Sequence, residues 1–334
     1  MIGVIVVFYN AQKYAKVCLE SIENQTFKDF KCICIDDKST DKTFDILKTF
    51  VDKDSRFISI QNEKNYGSAS HSRNVGLENI KDCDYFIFVD GDDILHFQAL
   101  EVAYETILKT KADFVSYELH KFENESLAQP EKIDKANLKF EVYSEPFKLF
   151  LTKSKDYARA NATNKLYSYE KYKKFRFCED IFYEDDYMYT LQVLSISSLH
   201  ARILEPPLYF YRKHDLSITS TLKSERYLQD AINRIKHTYD YFIKEDNISK
   251  DVDEIFKKRM MNDVYRMIIS KTLRKTKDED LFVKLVSIAQ NAIKELLELK
   301  VIELRYLSFF RRFILKQFVY GNVKIASCLV KIFG

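Results

Sequence analysis

Residues Tyr85 to Asp93 read Tyr-Phe-Ile-Phe-Val-Asp-Gly-Asp-Asp. The first five are aromatic or β-branched, which is typical of a strand buried on both faces of a parallel sheet. Three carboxylates follow around Gly91, and ligand crevices of open α/β sheets form where such strands end. Like charges this close repel one another, so the turn from Asp90 to Asp93, called the acidic turn below, predicts a site for a hard divalent cation. Taken alone, the stretch also fits a surface Asp-Gly turn.

Further apolar runs alternate with segments of helical periodicity on both sides of this strand. The runs are Ile2 to Phe8, Phe30 to Ile35, Phe57 to Ile60 and Phe114 to Tyr117. Alternation of this kind predicts βαβ units, and therefore an α/β fold with a mainly parallel sheet.

Domain organisation follows from where these patterns change. Residues 119–155 are polar, and we expect them to be rich in loops. Short apolar runs return from 161 to 221, including Leu208 to Tyr211 after Pro206-Pro207. Amphipathic helices dominate beyond that point. We therefore predict one sheet domain over 1–221, with halves 1–118 and 119–221, and a helical region over 222–334.

Composition restricts the function classes. The chain has 334 residues, of which 46% are hydrophobic, and it contains no signal-like segment or long uncharged apolar run, so we expect a cytoplasmic protein. Its six cysteines form no Cys-x-x-Cys pair and are expected to be reduced core residues. No nucleic-acid-binding motif accompanies the basic residues. The sequence indicates no oligomeric state.

The last residues, 304–334, form a basic tail with six Lys or Arg and no acid. The pattern suits an anionic membrane surface, because it pairs apolar Tyr306, Leu307, Phe310, Ile314 and Phe318 with Arg305, Arg311, Arg312 and Lys316. A terminal helix packed on the helical region, with a solvated basic face, explains the pattern equally well.

Polar residues follow three strands of the predicted sheet. Tyr9-Asn10 follow the first, Asp36 to Asp41 the second, and the acidic turn the fourth. An aromatic ring, an acceptor carboxylate and a cation-binding acid cluster together suit a nucleotide diphosphate. Each also has an ordinary explanation, because Asp37 could cap the helix that starts near Asp41 and Tyr9 could lie in the core.

With these motifs in order, residues 1–221 resemble the family 2 glycosyltransferases of the GT-A fold, which are nucleotide-diphospho-sugar transferases with a Rossmann-like, mainly parallel sheet. The resemblance is carried by Tyr9-Asn10, Gln25-Thr26-Phe27, Asp36 to Asp41, Asn65-Tyr66-Gly67 followed by Arg73-Asn74-Val75-Gly76, and the acidic turn. Five ordered matches make chance an unlikely explanation.

The resemblance implies a role for each matched residue of the donor half, residues 1–118. Tyr9 stacks on uracil, Asp37 binds the uracil ring and Arg73 contacts the nucleotide, with Asn10 and Asn65 beside them. Val7 departs from relatives that place a base-contacting threonine there.

In the acidic turn, the resemblance implies that Asp90 holds the ribose or orders the loop. Asp92 ligates Mn²⁺ or Mg²⁺, and Gly91 supplies the backbone freedom that lets the acids converge. The role of Asp93 stays open.

The acceptor half, residues 119–221, contains the candidate for the catalytic base. Glu184-Asp185-Asp186-Tyr187 opens a predicted helix from Tyr187 to Ser195 and matches the family's Glu-Asp motif. The match implies that Asp185 is the base, with Glu184 orienting it or the acceptor. Acids also favour helix N-termini for electrostatic reasons alone, and Asp186 stays open as an alternative base.

Two further segments resemble this family. Asn164 to Tyr167 matches the stretch leading to the acceptor side, and Tyr211-Arg212 with Ser217 matches a closing segment near the diphosphate. Arg212 can bond phosphate oxygens through two N–H groups. His214 is a candidate third protein ligand of the metal, although a single histidine is more often without function.

The resemblance implies an inverting, metal-dependent glycosyltransferase. It would move a hexose or N-acetylhexosamine from a UDP-sugar to a hydroxyl of a bacterial surface glycan, such as a capsule, a lipooligosaccharide or a lipid-linked chain. A non-catalytic nucleotide-sugar-binding scaffold is one alternative. A haloacid-type phosphatase is disfavoured, because it needs the motif on the first strand and a Thr or Val where Ile94 stands.

Overall fold

The computed structural model describes residues 1–123, 131–157, 160–183, 185–214, 224–245, 247–264, 273, 276, 278–298, 302–321, 326–327 and 329–330. They fall into two compact units, of which the first comprises residues within 1–150, 154–179 and 185–217, and the second comprises the remainder. The predicted boundary between residues 221 and 222 lies outside the described residues.

Eleven strands occur in the described part of the chain. They are β1 (Ile2–Phe8), β2 (Phe30–Asp36), β3 (Phe57–Gln61), β4 (Tyr85–Asp90), β5 (Ile94–Leu95), β6 (Phe114–Tyr117), β7 (Leu119–Phe122), β8 (Lys139–Ser144), β9 (Lys165–Ser168), β10 (Leu199–Glu205) and β11 (Tyr209–Arg212). Eight form one sheet in the order β3-β2-β1-β4-β9-β6-β10-β8, and β5-β11-β7 form a second.

The α-helices of the first unit connect these strands. They are α1 (Ala15–Glu23), α2 (Thr43–Lys53), α3 (Ala69–Glu78), α4 (Ala99–Thr110), α5 (Pro146–Tyr157), α6 (Tyr169–Tyr172) and α7 (Asp185–Ile196). Parallel pairing joins β3, β2, β1 and β4, and also β6 and β10, whereas β9 and β8 are antiparallel to their neighbours. The predicted α/β class with a mainly parallel sheet is confirmed.

The centre of the large sheet explains where the site lies. Strand β1 runs between β2 and β4, and its residues Val4, Ile5 and Val6 are fully buried. Phe8 is in register with Asp36, and Val7 with Asp90. The polar ends of three strands therefore lie side by side, as the sequence predicted.

The prediction that residues 119–155 are rich in loops is wrong for much of their described part, which contains β7, β8 and α5. Strand β8 lies at the edge of the sheet, and most of its side chains are exposed. An edge strand needs little apolar surface, so the sequence of β8 lacks the apolar pattern from which a strand is predicted. Among its described side chains, helix α5 buries Pro146, Phe147, Phe150 and Leu151.

The second unit is helical, as predicted. Its α-helices include α8 (Ser224–Tyr239), α9 (Lys250–Val264), α10 (Glu279–Glu298) and α11 (Phe309–Tyr320), and a π-helical stretch follows α8 at Asp240–Lys244. The amphipathic character predicted for this region is observed in α9 and α10, whose buried apolar residues include Phe256, Met260, Val264, Phe282, Leu285, Ala289, Ile293 and Leu296. None of the described helices is both long and apolar enough to cross a membrane.

The described part of the basic tail packs on this helical unit. Ile314 and Phe318 of α11 are buried, and so is Leu307. The side-chain amide of Gln290 on α10 donates to the carbonyl of Phe318 at 2.7 Å and to that of Gly321 at 3.0 Å. Three of the apolar side chains that the membrane-surface interpretation requires are thus covered, which favours the packed-helix alternative. Phe313 and Tyr320 of the same helix are exposed.

Five of the six cysteines lie in the described part of the chain, and Cys18, Cys32, Cys34 and Cys83 among them are free thiols. Cys18, Cys32, Cys34 and Cys83 are buried, whereas Cys178 is partly exposed. The prediction that the cysteines lie in the core is therefore confirmed for these four. It is wrong for Cys178, which lies in the segment between α6 and α7.

Candidate active site

The first part of the candidate site is the end of β1. Tyr9 is 52% exposed, which excludes the core alternative. Asn10 has a left-handed backbone (φ 48°), and its side-chain oxygen accepts from the Thr40 N–H at 2.8 Å. The Asn10 N–H in turn donates to the Ser39 hydroxyl at 2.9 Å. Asn10 therefore ties the β1 end to the turn after β2, while the Tyr9 ring faces solvent.

Asp37 lies at the end of β2 and is buried. Its carboxylate accepts from the Asn62 amide at 2.7 Å and from the N–H groups of Tyr66 at 3.1 Å and Gly67 at 3.3 Å. Gly67 has a φ of 77°, which favours glycine. The Asn65 amide donates to the Asp37 carbonyl at 3.0 Å, so these two predicted nucleotide-binding residues lie together.

The alternative role of Asp37 as a helix cap is not observed. At the start of α2, it is Asp41 whose carboxylate accepts from the Thr43 N–H at 2.9 Å and from its hydroxyl at 2.5 Å. Asp37 instead shapes the segment that leads into α3.

The acidic turn packs tightly against β1 at Gly91. The Gly91 N–H donates to the Val7 carbonyl at 3.0 Å. A Cβ at this position would lie 2.2 Å from Cδ1 of Phe8 and 2.7 Å from the Val7 oxygen. Gly91 is not among the residues with a left-handed backbone. The predicted need for backbone freedom is therefore wrong, because this glycine is required for close approach.

A Gly91→Ala substitution is expected to lower the free energy of unfolding by about 1 to 3 kcal/mol through overpacking. Phe8→Leu in the same chain should recover only part of that loss, because the Val7 carbonyl is backbone and cannot be trimmed. Chemical denaturation of the wild type, both single variants and the double variant measures this. Full recovery in the double variant would show that the Phe8 ring alone causes the clash.

Asp93 has a structural role that the sequence did not reveal. It is 1% exposed, and its carboxylate accepts from the Tyr209 hydroxyl at 2.6 Å and from the Arg212 N–H at 2.8 Å. The Tyr209 hydroxyl also accepts from the Asp90 N–H at 3.1 Å. Burial raises the pKa of Asp93. Asp93 thus fastens the acidic turn to β11.

The predicted metal ligands Asp92 and His214 are adjacent. Nε2 of His214 lies 2.8 Å from Oδ2 of Asp92, and the Asp92 side chain is 31% exposed. Nδ1 of His214 is buried without a hydrogen-bond partner in the described part of the chain. Nε of Arg212 donates to the Asp92 carbonyl at 2.7 Å. No group of three or more potential metal-binding side chains occurs among the described residues.

Arg73 of α3 joins the donor side to the acceptor side. Its Nη1 donates to Asp185 at 2.9 Å and to Asp186 at 2.6 Å, and its Nη2 donates to Asp90 at 3.0 Å. The Ser70 hydroxyl, one helical turn earlier, donates to Asp185 at 2.9 Å. Two candidate bases and one acid of the acidic turn therefore surround a single guanidinium.

Burial sets the protonation behaviour of this cluster. It raises the pKa of Asp185 to about 6, against the opposing influence of Arg73 and with a further increase from Asp186. Burial likewise raises the pKa of Asp90 to about 6. A carboxylate with a pKa near 6 is ionised at neutral pH and is still basic enough to accept a proton. A raised pKa of this kind is what a general base requires, so Asp185 stays the candidate for that role.

Sequence reasoning missed Ser70 and Tyr209. A serine near a helix start normally indicates a cap, and a tyrosine in an apolar strand normally indicates core. Neither pattern predicts a partner more than a hundred residues away. Two predicted residues, Glu184 and Ser217, lie outside the described residues.

The fold and the acid-lined strand ends together define a GT-A-type α/β protein. The chain belongs to glycosyl transferase family 2, whose model matches residues 3–175. It is 31% identical over 244 residues to glycosyltransferase GlyA of Streptococcus pneumoniae, covering 70% of this chain and 34% of that protein. It is 29% identical over 241 residues to the teichoic acid poly(glycerol phosphate) polymerase of Staphylococcus epidermidis, covering 69% and 31%.

The chain thus spans about a third of the length of these relatives. Among solved structures, it resembles residues 1–349 of S. aureus TarS in complex with UDP-GlcNAc, with a TM-score of 0.70 and 17% identity. The likeness covers 99% of this chain and 90% of that one. It shows a shared fold and confirms the predicted GT-A architecture.

Proposed function

We propose that this chain is an inverting glycosyltransferase that moves a hexose or N-acetylhexosamine from a UDP-sugar to a hydroxyl of a bacterial surface glycan. The observation that carries the proposal is the connection of a candidate base, Asp185, to the strand end bearing Asp90 and Asp92 through Arg73. The names of the relatives, a glycosyltransferase and a teichoic acid polymerase, support a surface-polymer acceptor. The TarS complex supports UDP-GlcNAc as one donor to test.

Inversion requires a base on the face of the sugar opposite the leaving group. Asp185 takes the proton of the acceptor hydroxyl, whose oxygen forms a bond to the anomeric carbon. The bond between that carbon and the diphosphate oxygen breaks, and UDP leaves with the electron pair. Ser70 and Arg73 hold the carboxylate in place by donating to the same oxygen, Oδ2.

The donor half supplies the nucleotide contacts of this proposal. The exposed Tyr9 ring stacks on uracil, and Asp37 with Asn65 shapes the base pocket. Arg212, which lies 4.8 Å from the Tyr14 ring and 4.6 Å from the Phe122 ring, faces the diphosphate.

The donor set at Asp92 and His214 fits a divalent cation, because a carboxylate oxygen and an imidazole nitrogen, both metal-binding groups, lie 2.8 Å apart. The two side chains would hold Mn²⁺ or Mg²⁺. When bound, such an ion offsets the negative charge on the departing diphosphate.

The decisive experiment is UDP release from a panel of UDP-sugars with Mn²⁺ or Mg²⁺, with and without glycan acceptors. The proposal expects acceptor-stimulated UDP release with at least one donor. Tight UDP-sugar binding without any UDP release would instead identify a nucleotide-sugar-binding protein, and release of phosphate from simple phosphate esters would identify a phosphatase.

The pKa of about 6 at Asp185 predicts an acid limb in the pH profile. Asp185 faces Arg73, Asp186, Asp90 and Ser70, and it must be ionised to act as base. The value of kcat/KM should therefore be constant above pH 7 and fall about tenfold per unit below about pH 6. Profiles from pH 5 to 9 at constant ionic strength test this. A pH profile that is flat down to pH 5 would contradict this prediction. Asp185→Glu should shift the pH at which kcat/KM begins to fall.

A further inference from the structure

Arg73 is unusual among the charged residues of the first unit because one buried side chain serves three carboxylates. It is 4% exposed and lies on α3, whereas Asp90 ends β4 and Asp185 and Asp186 begin α7. Nη1 reaches both acids of α7, and Nη2 reaches Asp90. Three elements far apart in sequence therefore meet at one planar group.

The same geometry leaves few N–H groups of the guanidinium available to contact a nucleotide. Both terminal nitrogens already donate to carboxylates, and the Phe177 ring lies 5.2 Å from the central carbon. The remaining donor, Nε, is buried with no hydrogen-bond partner in the described part of the chain. A nucleotide would have to displace a carboxylate in order to bond Nη1, whose two N–H groups both donate to acids of α7. Nη2 has one further N–H group, but it belongs to a side chain that is only 4% exposed.

We propose that Arg73 is a positioning residue, which holds the base Asp185 at a set distance from the Asp90 end of β4 and so aligns the acceptor side with the donor side. This inference rests on the proposed function and replaces the nucleotide-contacting role that the family resemblance implied. The guanidinium suits the task because its planar fork can bond several carboxylates at defined angles, whereas a lysine presents a single point charge.

The kinetic test is Arg73→Gln, whose amide keeps a polar group on the same aliphatic stem but removes the charge and the fork that reaches the three carboxylates. The expected result is a fall in kcat of about 10²-fold, because small misplacement of a reacting group has effects of that size. The Kd for UDP, measured by calorimetry, should change by less than about threefold. A rise in Kd of more than tenfold with unchanged kcat would overturn the proposal in favour of nucleotide contact.

A matched control is Arg56→Gln. Arg56 also donates to a carboxylate, that of Asp54, at 2.6 Å, but it precedes β3 at the opposite end of the parallel strands. This variant is expected to keep both kcat and the Kd for UDP. If it loses as much turnover as Arg73→Gln, the loss of kcat reflects general destabilisation and the proposal is overturned.

A second arm separates positioning from folding and does not require transfer activity. Arg73→Gln leaves three acids without their cation and should lower the melting temperature, and Arg73→Gln with Asp186→Asn should regain part of it by removing one like charge. Regained melting temperature without regained turnover supports positioning. Regained turnover in the double variant overturns the positioning proposal.

If the wild type transfers no sugar, the proposed function fails. The melting temperatures and the Kd for UDP of the same variants still report on the Arg73 contacts.

Discussion

Asp185→Asn is expected to lower kcat for sugar transfer by about 10²- to 10⁴-fold while UDP-sugar binding survives. An amide has nearly the same shape as a carboxylate but cannot take a proton from the acceptor hydroxyl. Its oxygen can still accept from Ser70 and Arg73, which now contact the carboxylate at 2.9 Å each, so the site should keep its shape. UDP release at saturating donor and acceptor measures kcat, and calorimetry measures donor binding.

Asp186→Asn is the matched control for this prediction. It removes the same charge one residue later, from a side chain that also accepts from Arg73, at 2.6 Å. We expect less than a tenfold change in kcat, because Asp185 keeps its carboxylate. The reverse pattern, with Asp186→Asn inactive and Asp185→Asn active, would assign the base to Asp186.

Asp92→Ala is expected to abolish metal-dependent binding of the UDP-sugar. In the proposed site this change removes the carboxylate ligand and leaves His214 alone. Loss of a residue that only hydrogen-bonds to a metal ligand already costs about 10- to 100-fold in metal affinity, so loss of a ligand should weaken Mn²⁺-dependent binding by at least about 10²-fold. Calorimetric titrations of UDP-sugar with Mn²⁺ and with EDTA measure this difference.

Two further binding measurements make the test of Asp92 more specific. In EDTA, the wild type and Asp92→Ala should bind UDP-sugar with similar affinity, because the Tyr9 and Asp37 side of the proposed site is unchanged. His214→Ala should weaken Mn²⁺-dependent binding less than Asp92→Ala does, because it removes a neutral ligand. Undiminished Mn²⁺ dependence in Asp92→Ala would place the cation elsewhere.

The central sheet was predictable because its strands have local signals. Strands β1, β2 and β4 are nearly continuous apolar runs that end in polar motifs, and parallel pairing brings such ends to one edge. Residues close to those ends, such as Tyr9, Asp37 and Asp92, could therefore be assigned to one site from their positions. Strand β8 was missed because an edge strand carries too little apolar pattern to be recognised.

Other features depend on neighbours that no local pattern identifies. Asp93 is an acid beside acids in the sequence, and only its contacts with Tyr209 and Arg212 distinguish it as a structural anchor. Gly91 looked like a flexible turn residue, yet the Phe8 ring and the Val7 carbonyl are what require a glycine. In both cases the deciding partner lies on a different strand.

The acidic turn and its position at the end of β4 were determined by the sequence itself, since an apolar run that stops in charged residues defines a buried strand and its end. What only the tertiary structure decided is how that turn connects to the candidate base. Arg73 bridges Asp90 and Asp185 across 95 residues of chain, with contacts of 3.0 and 2.9 Å. The physical reason is that hydrogen bonds and ion pairs depend on distances of a few ångströms in space, which sequence separation does not encode.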